Sequence, residues 1–294
     1  MESEVILVRR RNVDVRASEF AIGNPAAHCN PHEMAIDAAR GLDENEFFLV
    51  FQPKLRLETG LLSGFESLIR WRHPTYGILM PSVFIDIVEN SPLSCRFTDF
   101  LLTEAAKTLA SWTVRGYGGL SLSINLPAQE ITQPGMAKKL SAILDAHAVG
   151  ADRLQIELTE STNPGPIETL ATAVVSLREA GVSVAIDDFG TGCWSLTILH
   201  RLAVDTLKLD RSFICDIHES SEARVIVETL IRLGQRLGKC IVIEGVETEA
   251  QFAWARTMTH IDCQGYYISA PVQDTQINEL IAKHGVLPTV QGAD

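Results

Sequence analysis

Polar residues recur at the ends of short apolar runs in this chain: Asn125, Glu157 and Glu160, Asp187 and Asp188, Lys208 and Asp210, Glu244 and Gln264. Taken singly, each has an ordinary structural role. A carboxylate at a strand end caps a helix or solvates a turn. Asp187-Asp188-Phe189-Gly190-Thr191-Gly192 reads as a glycine-rich turn, Lys208 with Asp210 as an internal ion pair, and Asn125 as a partner for nearby backbone. Brought to one place, however, these acids would repel unless cations neutralised them. Oxygen donors without His or Cys suit Mg²⁺ or Mn²⁺ rather than zinc. Two such cations about 4 Å apart clamp a phosphodiester and make hydroxide from bound water at neutral pH. That chemistry requires an acid that bridges both ions, which the adjacent Asp187-Asp188 pair suits, and a base near the attacking water, for which Lys208 and Glu244 are available.

The elements that must position these residues alternate along the chain. Strand-like runs fall at 47–52, 64–71, 121–126, 154–159, 182–187, 206–210, 240–244 and 264–268. Helical patterns occupy 95–115, 135–147, 167–180, 195–202, 219–237 and 248–256. Alternation of this kind predicts crossover units and a mainly parallel sheet. The link between the first two runs, containing Glu58-Thr59-Gly60, is too short for a crossover, so those two should form an antiparallel hairpin. An open doubly wound sheet would spread the polar strand ends along an edge, whereas a (β/α)8 barrel gathers them around one mouth. The polar ends therefore favour an α/β barrel of the TIM type with its first strand antiparallel to the others.

Length and composition agree. The chain has 294 residues, 46% hydrophobic and 21% charged, and one such barrel takes about 250 residues. The expected organisation is an extension over 1–30, the barrel domain over 31–285 and a tail over 286–294. No apolar run approaches the roughly 20 residues of a membrane helix, and acids precede the short apolar stretch at the N-terminus, unlike a secretion signal. The net charge of −12 argues against a nucleic-acid polymer as partner, but not against a phosphate-bearing substrate held through cations. Six scattered cysteines without a Cys-x-x-Cys pair read as free thiols of a cytoplasmic protein. Gly234-Gln235-Arg236-Leu237-Gly238-Lys239 lacks the spacing and strand-to-helix order of a phosphate loop. Arg9, Arg10 and Arg11 in the extension offer a contact for an acidic protein partner.

The chain strongly resembles the EAL-domain cyclic di-GMP phosphodiesterases over about residues 31–275. The motifs are Phe51-Gln52-Pro53, Glu66-Ser67-Leu68-Ile69-Arg70-Trp71-Arg72-His73-Pro74, Ser123-Ile124-Asn125, Glu157-Leu158-Thr159-Glu160, Asp187-Asp188-Phe189-Gly190-Thr191-Gly192, Lys208-Leu209-Asp210-Arg211, Glu244-Gly245-Val246-Glu247 and Gln264-Gly265-Tyr266. The resemblance implies a barrel whose first strand is antiparallel, two Mg²⁺ or Mn²⁺ ions, and hydrolysis of cyclic di-GMP to linear pGpG. It implies Glu66, Asn125, Glu157 and Asp187 as metal ligands, with Asp188, Asp210 and Glu247 serving the second metal. Lys208 and Glu244 match residues that orient or deprotonate the water. Gln264 matches an active-site position and Glu160 the anchor of the loop after Asp188. Arg70 matches a phosphate contact, and Leu68 and Gln52 match substrate-pocket positions. A homodimer is implied as well.

Two departures stand out. The family triplet Glu-Ala-Leu is Glu66-Ser67-Leu68, a nearly isosteric change at a position whose neighbours point to the other face of the strand. The loop after the paired aspartates reads Gly192-Cys193-Trp194-Ser195 where the family usually has Gly-Tyr-Ser-Ser, which touches loop regulation but removes no ligand. The competing reading is a catalytically silent receptor for cyclic di-GMP or a protein. Such receptors usually lack one or more of the acids, and here all are present.

Overall fold

The computed structural model of the protein describes residues 30–159, 166–190 and 196–287. Cys29, the three N-terminal arginines, Glu160, Cys193 and Trp194 lie outside them. The first helix, α1 (Pro31–Asp43), was not separable by periodicity; Asn30 caps it by accepting from the His32 N–H at 3.0 Å, and Pro31 stands in the first turn, where a missing N–H is harmless. β1 (Phe47–Arg56) and β2 (Leu62–His73) form the expected antiparallel hairpin, with Gln52 opposite Glu66 and Lys54 opposite Gly64. β3 (Gly77–Leu79) pairs antiparallel with the end of β2, and α2 (Pro81–Glu89) and α3 (Ser94–Val114) follow. The chain continues through β4 (Ser121–Pro127), α4 (Ala128–Ile131), α5 (Met136–Ala146), β5 (Leu154–Thr159), α6 (Ile167–Glu179), β6 (Ser183–Phe189) and α7 (Leu196–Arg201). It ends with β7 (Thr206–Leu209), α8 (Ser221–Arg236), β8 (Cys240–Ile243), α9 (Glu249–Ala255), β9 (Ile261–Cys263) and α10 (Ile277–His284).

β2 and β4 to β9 pair parallel in chain order, and β1 pairs antiparallel with both β2 and β9, which closes eight strands into a TIM-like barrel. The eighth strand lies earlier than its expected position at 264–268. It is the three-residue Ile261–Cys263, and residue 264 onward is a turn in which Tyr267 N donates to Val246 O at 2.9 Å. The backbone at Gly265 passes so close to that of Val246 that a Cβ would lie 2.2 Å from its carbonyl oxygen, so this contact displaces the chain from the sheet.

Alternation along each strand sends one set of side chains to the helices and the other into the barrel. Phe51 and Phe65 point outward and pack on Trp112 of α3, with ring centroids 5.5 and 5.4 Å away. Their inward neighbours Gln52, Lys54 and Glu66 are buried and polar. A barrel of this kind is usually filled by branched apolar side chains. Here a polar column replaces part of that filling: Arg56 pairs with Asp262, and Lys54, Ser123, Gln155 and Thr206 form the next hydrogen-bonded set towards the mouth. Among the described residues Cys95, Cys215, Cys240 and Cys263 are free thiols. No described helix is long and apolar enough to cross a membrane.

Candidate active site

At the C-terminal ends of the parallel strands the structure brings together most of the residues singled out from sequence. A cavity of about 340 Å³ is lined by Gln52, Glu66, Leu68, Asp187, Asp188, Lys208, Asp210, Glu244, Glu247 and Gln264, together with Arg211, Gly245, Gly265 and Tyr266, which sequence reading did not single out as site residues. Asn125 and Glu157 stand beside it: Asn125 Nδ2 donates to Glu66 Oε1 at 2.8 Å, and Glu157 meets the lysine at the centre.

That lysine is Lys208. Its Nζ lies 2.5 Å from Glu157 Oε2, 2.7 Å from Glu244 Oε1, 3.0 Å from Asp187 Oδ1 and 3.4 Å from Glu66 Oε2. Burial opposes its charge, but the four carboxylates prevail and hold its pKa well above the ordinary lysine range. A lysine so held stays charged and orients its neighbours. Burial and the neighbouring acids raise the Glu244 carboxyl well above its usual range, against the pull of Lys208.

The acids form two overlapping groups. Glu66, Glu157 and Asp187 place one oxygen each within 4.8 Å of one another, as do Asp187, Asp188 and Glu244, and Asp187 belongs to both. Neither group contains His or Cys. Two buried oxygens in the same region, Asn125 Oδ1 and Gln264 Oε1, have no hydrogen-bond partner, and Glu157 Oε1 has none either but faces Lys54 Nζ at 3.6 Å. Unpartnered buried acceptors are costly, and a set of them beside two carboxylate groups is the donor chemistry of a hard cation. Burial raises the Glu157 carboxyl; for Glu66, burial is outweighed by Lys208 and by hydrogen bonds from Gln264 and Asn125, so its pKa falls.

Local backbone sets the outer acids. Asp188 takes the left-handed conformation (φ 49°), which Asp tolerates better than most residues, and its carboxyl is hydrogen-bonded to that of Asp210. Burial and the charges of Asp187 and Asp210 push Asp188 up to about 6. Asp210 caps the following turn, accepting from Ser212 N at 2.9 Å. Gly245 has φ 67°, and a Cβ there would lie 2.1 Å from that of Arg211, so only glycine fits between Glu244 and the Arg211 backbone. Glu247 differs from the other acids. Its carboxylate is half-exposed, 3.8 Å from Arg211, and belongs to neither close group, while Gln251 Oε1 accepts from its backbone N–H.

The non-acidic positions are also placed. Gln264 Nε2 donates to Glu66 Oε2 at 2.6 Å and to Gln52 Oε1 at 2.9 Å. Arg70 is buried and donates to the carbonyl of Ile69, with Glu66 and Tyr266 close enough to oppose the lowering of its pKa by burial. The Ser67 hydroxyl donates to the Ser123 carbonyl at 2.9 Å, so the serine of the altered triplet is absorbed by the sheet. Sequence reading missed Lys54 because it ended the first strand at Gln52; two residues on, Lys54 lies on the same inward face, and that spacing was the available signal.

A second cavity of about 310 Å³ adjoins the first through Leu68 and Asp187 and is lined by Pro81, Ile85, Leu101 and Ile124, with Asp86 and Glu89. Burial, then Asp86 and Glu130, push the Glu89 carboxyl up to about 7. A folded-state pKa above the unfolded value of 4.5 means that Glu89 costs stability increasingly as pH rises between these values, and fully above 7. Glu89→Gln should therefore raise the melting temperature at pH 8, by the equivalent of about 1–2 kcal/mol after allowance for partial exposure, and have little effect at pH 4.5. Thermal melts at the two pH values check this; equal melts of the two proteins at pH 8 would refute it.

The EAL-domain family profile matches residues 35–271. The chain belongs to the EAL-domain family. Relatives include the bifunctional diguanylate cyclase/cyclic di-GMP phosphodiesterase MucR of Pseudomonas aeruginosa, 32% identical over 250 residues, covering 85% of this chain and 36% of the relative. The cyclic di-GMP phosphodiesterase NbdA of the same organism is 34% identical over 249 residues, covering 85% and 32%. This chain thus spans about a third of the length of those two relatives. Among solved structures, the MucR phosphodiesterase in complex with c-di-GMP superposes with a TM-score of 0.77 at 31% identity, covering 83% of this chain and 99% of that one. An EAL-domain protein of Listeria monocytogenes gives 0.73 at 29%, covering 86% and 98%.

Proposed function

We propose that this EAL domain is a metal-dependent phosphodiesterase that hydrolyses cyclic di-GMP to linear pGpG. The observation that carries the reading is Asp187, shared by two close carboxylate groups beside unpartnered buried oxygens. Glu66, Asn125, Glu157 and Asp187 would hold one Mg²⁺ or Mn²⁺, and Asp187, Asp188 and Asp210 a second. Glu247 would join that second set on turning from Arg211. The ions, when bound, polarise the phosphodiester and acidify water. Glu244 takes the proton from the attacking water, and Lys208 steadies the charge of the surrounding carboxylates. Gln264 and Gln52 bind each other and face the substrate, and Arg70 contacts a phosphate at the wall containing Leu68. The two cavities joined at Leu68 and Asp187 give an elongated cleft for the dinucleotide. The reading also takes Glu160, outside the described residues, as the anchor of the loop after Asp188. The reading includes a homodimer, a location in the cytoplasm, and a protein partner at the N-terminal arginines.

The purified protein should convert cyclic di-GMP to pGpG with Mg²⁺ or Mn²⁺, and much less well with Ca²⁺, whose longer and looser coordination acidifies water poorly. Chromatography of the products measures this directly. Undiminished turnover in excess chelator would overturn the mechanism, and tight binding of cyclic di-GMP without turnover would return the protein to the receptor reading.

A further inference from the structure

Lys54 lies one layer below the mouth, on the inward face of β1 and 5% exposed. Its Nζ faces Ser123 Oγ, Gln155 Oε1 at 3.1 Å and Glu157 Oε1 at 3.6 Å. These neighbours match the three donors of an ammonium group. The set is braced across the barrel, because Ser123 Oγ donates to Gln155 Oε1 at 2.9 Å and Gln155 Nε2 donates to Thr206 Oγ1 at 2.9 Å. Lys54 is thereby tied to β4, β5 and β7. A buried ammonium costs several kcal/mol of desolvation that an apolar side chain would not, so packing alone does not account for it.

Glu157 is the acid within ion-pair distance. Its side chain is fully buried, its Oε2 takes Lys208 at 2.5 Å, and its Oε1 has no hydrogen bond and faces Lys54. The two lysines thus hold one carboxylate from opposite sides, Lys208 within the mouth and Lys54 from the floor.

We propose that Lys54 is a positioning residue of the metal site, holding Glu157 from below through Oε1 so that Oε2 is presented to the mouth. The proposal rests on the reading of Glu157 as a metal ligand. Lys208 contacts all four carboxylates from within the mouth, whereas Lys54 lies beneath the Glu157 carboxylate. Groups that hold metal ligands in place typically contribute about 10–100-fold to metal affinity.

The test is Mn²⁺ binding to the full chain, read by the electron paramagnetic resonance of free Mn²⁺, in Lys54→Met, Lys54→Arg and Glu157→Gln. Lys54→Met should weaken Mn²⁺ binding by about 10–100-fold, and Lys54→Arg should recover most of that loss. A lysine present only for packing would leave the affinity unchanged on removal. One that merely repelled cations would tighten binding on removal. Either result overturns the proposal, as does an equal loss in the methionine and arginine variants. If Lys54→Met does not fold, Lys54→Gln, which keeps hydrogen-bonding capacity without the charge, is read against the same outcomes. Unaltered affinity in Glu157→Gln would instead bring down the ligand reading on which the proposal stands. Weakened binding in Glu157→Gln with normal binding in Lys54→Met would remove the Lys54 role alone.

Discussion

Asp187→Asn is expected to reduce cyclic di-GMP hydrolysis by about 10³-fold or more, the rate equivalent of the several kcal/mol that metal-ion catalysis supplies. Asp187 is the acid common to both carboxylate groups, so its loss impairs both at once. The same substitution should leave the protein at least as stable in chelator. Asp187 raises the carboxyl pKa of Glu157, Asp188 and Glu244, which means that its charge is repelled by theirs, and this repulsion from three acids offsets its ion pair with Lys208 at 3.0 Å. Asparagine keeps the shape and removes one charge from the repulsion. The expected pair of results, lost turnover with an unchanged or higher melting temperature, is the trade of stability for function that charged sites show. Turnover assays at saturating Mn²⁺ and melts in chelator measure both, and near-normal turnover in the folded variant would remove Asp187 from the metal site.

Lys208→Met should have the largest effect on stability. Removing one partner from a buried ionic cluster typically costs about 3–5 kcal/mol. Here four carboxylates lose their shared cation at a position 1% exposed. For a domain of this size that corresponds to a fall in melting temperature of roughly 10 °C. The pH dependence has a definite sign. The Lys208 pKa is raised in the folded protein, so its contribution is intact below the unfolded lysine value near 10.5 and is lost only as pH rises beyond the folded value. The Glu157 and Glu244 carboxyls are raised by burial, so in the variant their cost appears as pH climbs above 4.5 and disappears when they are protonated. The gap between wild type and Lys208→Met should therefore be wide at pH 8 and narrower at pH 5. Melts in chelator decide it: a gap independent of pH would mean that lost packing, not lost charge, destabilises the variant.

The barrel was legible because its signals are local. The turn at Glu58-Thr59-Gly60 is too short for anything but an antiparallel hairpin, and the alternation of strands and helices dictates parallel crossovers for the rest. The last strand was misplaced because Ile261-Asp262-Cys263 is too short to stand out by periodicity, while Gln264–Ile268 looks strand-like until the contact between Gly265 and Val246 is known.

The residue types at the strand ends likewise determined an oxygen-rich site suited to hard cations, since carboxylate and amide chemistry does not depend on the fold. Their roles relative to one another were decided by tertiary structure. Barrel closure sets the distance between Gln264 and Glu66, 198 residues apart in sequence and hydrogen-bonded at 2.6 Å. It makes Asp187 the shared acid, turns Glu247 towards Arg211, and places Lys208 among four carboxylates that keep it charged. Lys54 was hidden for the same reason. A lysine inside a strand gains its meaning only from what faces it across the barrel, and proximity and burial between distant strands are properties of the closed sheet rather than of any one segment of chain.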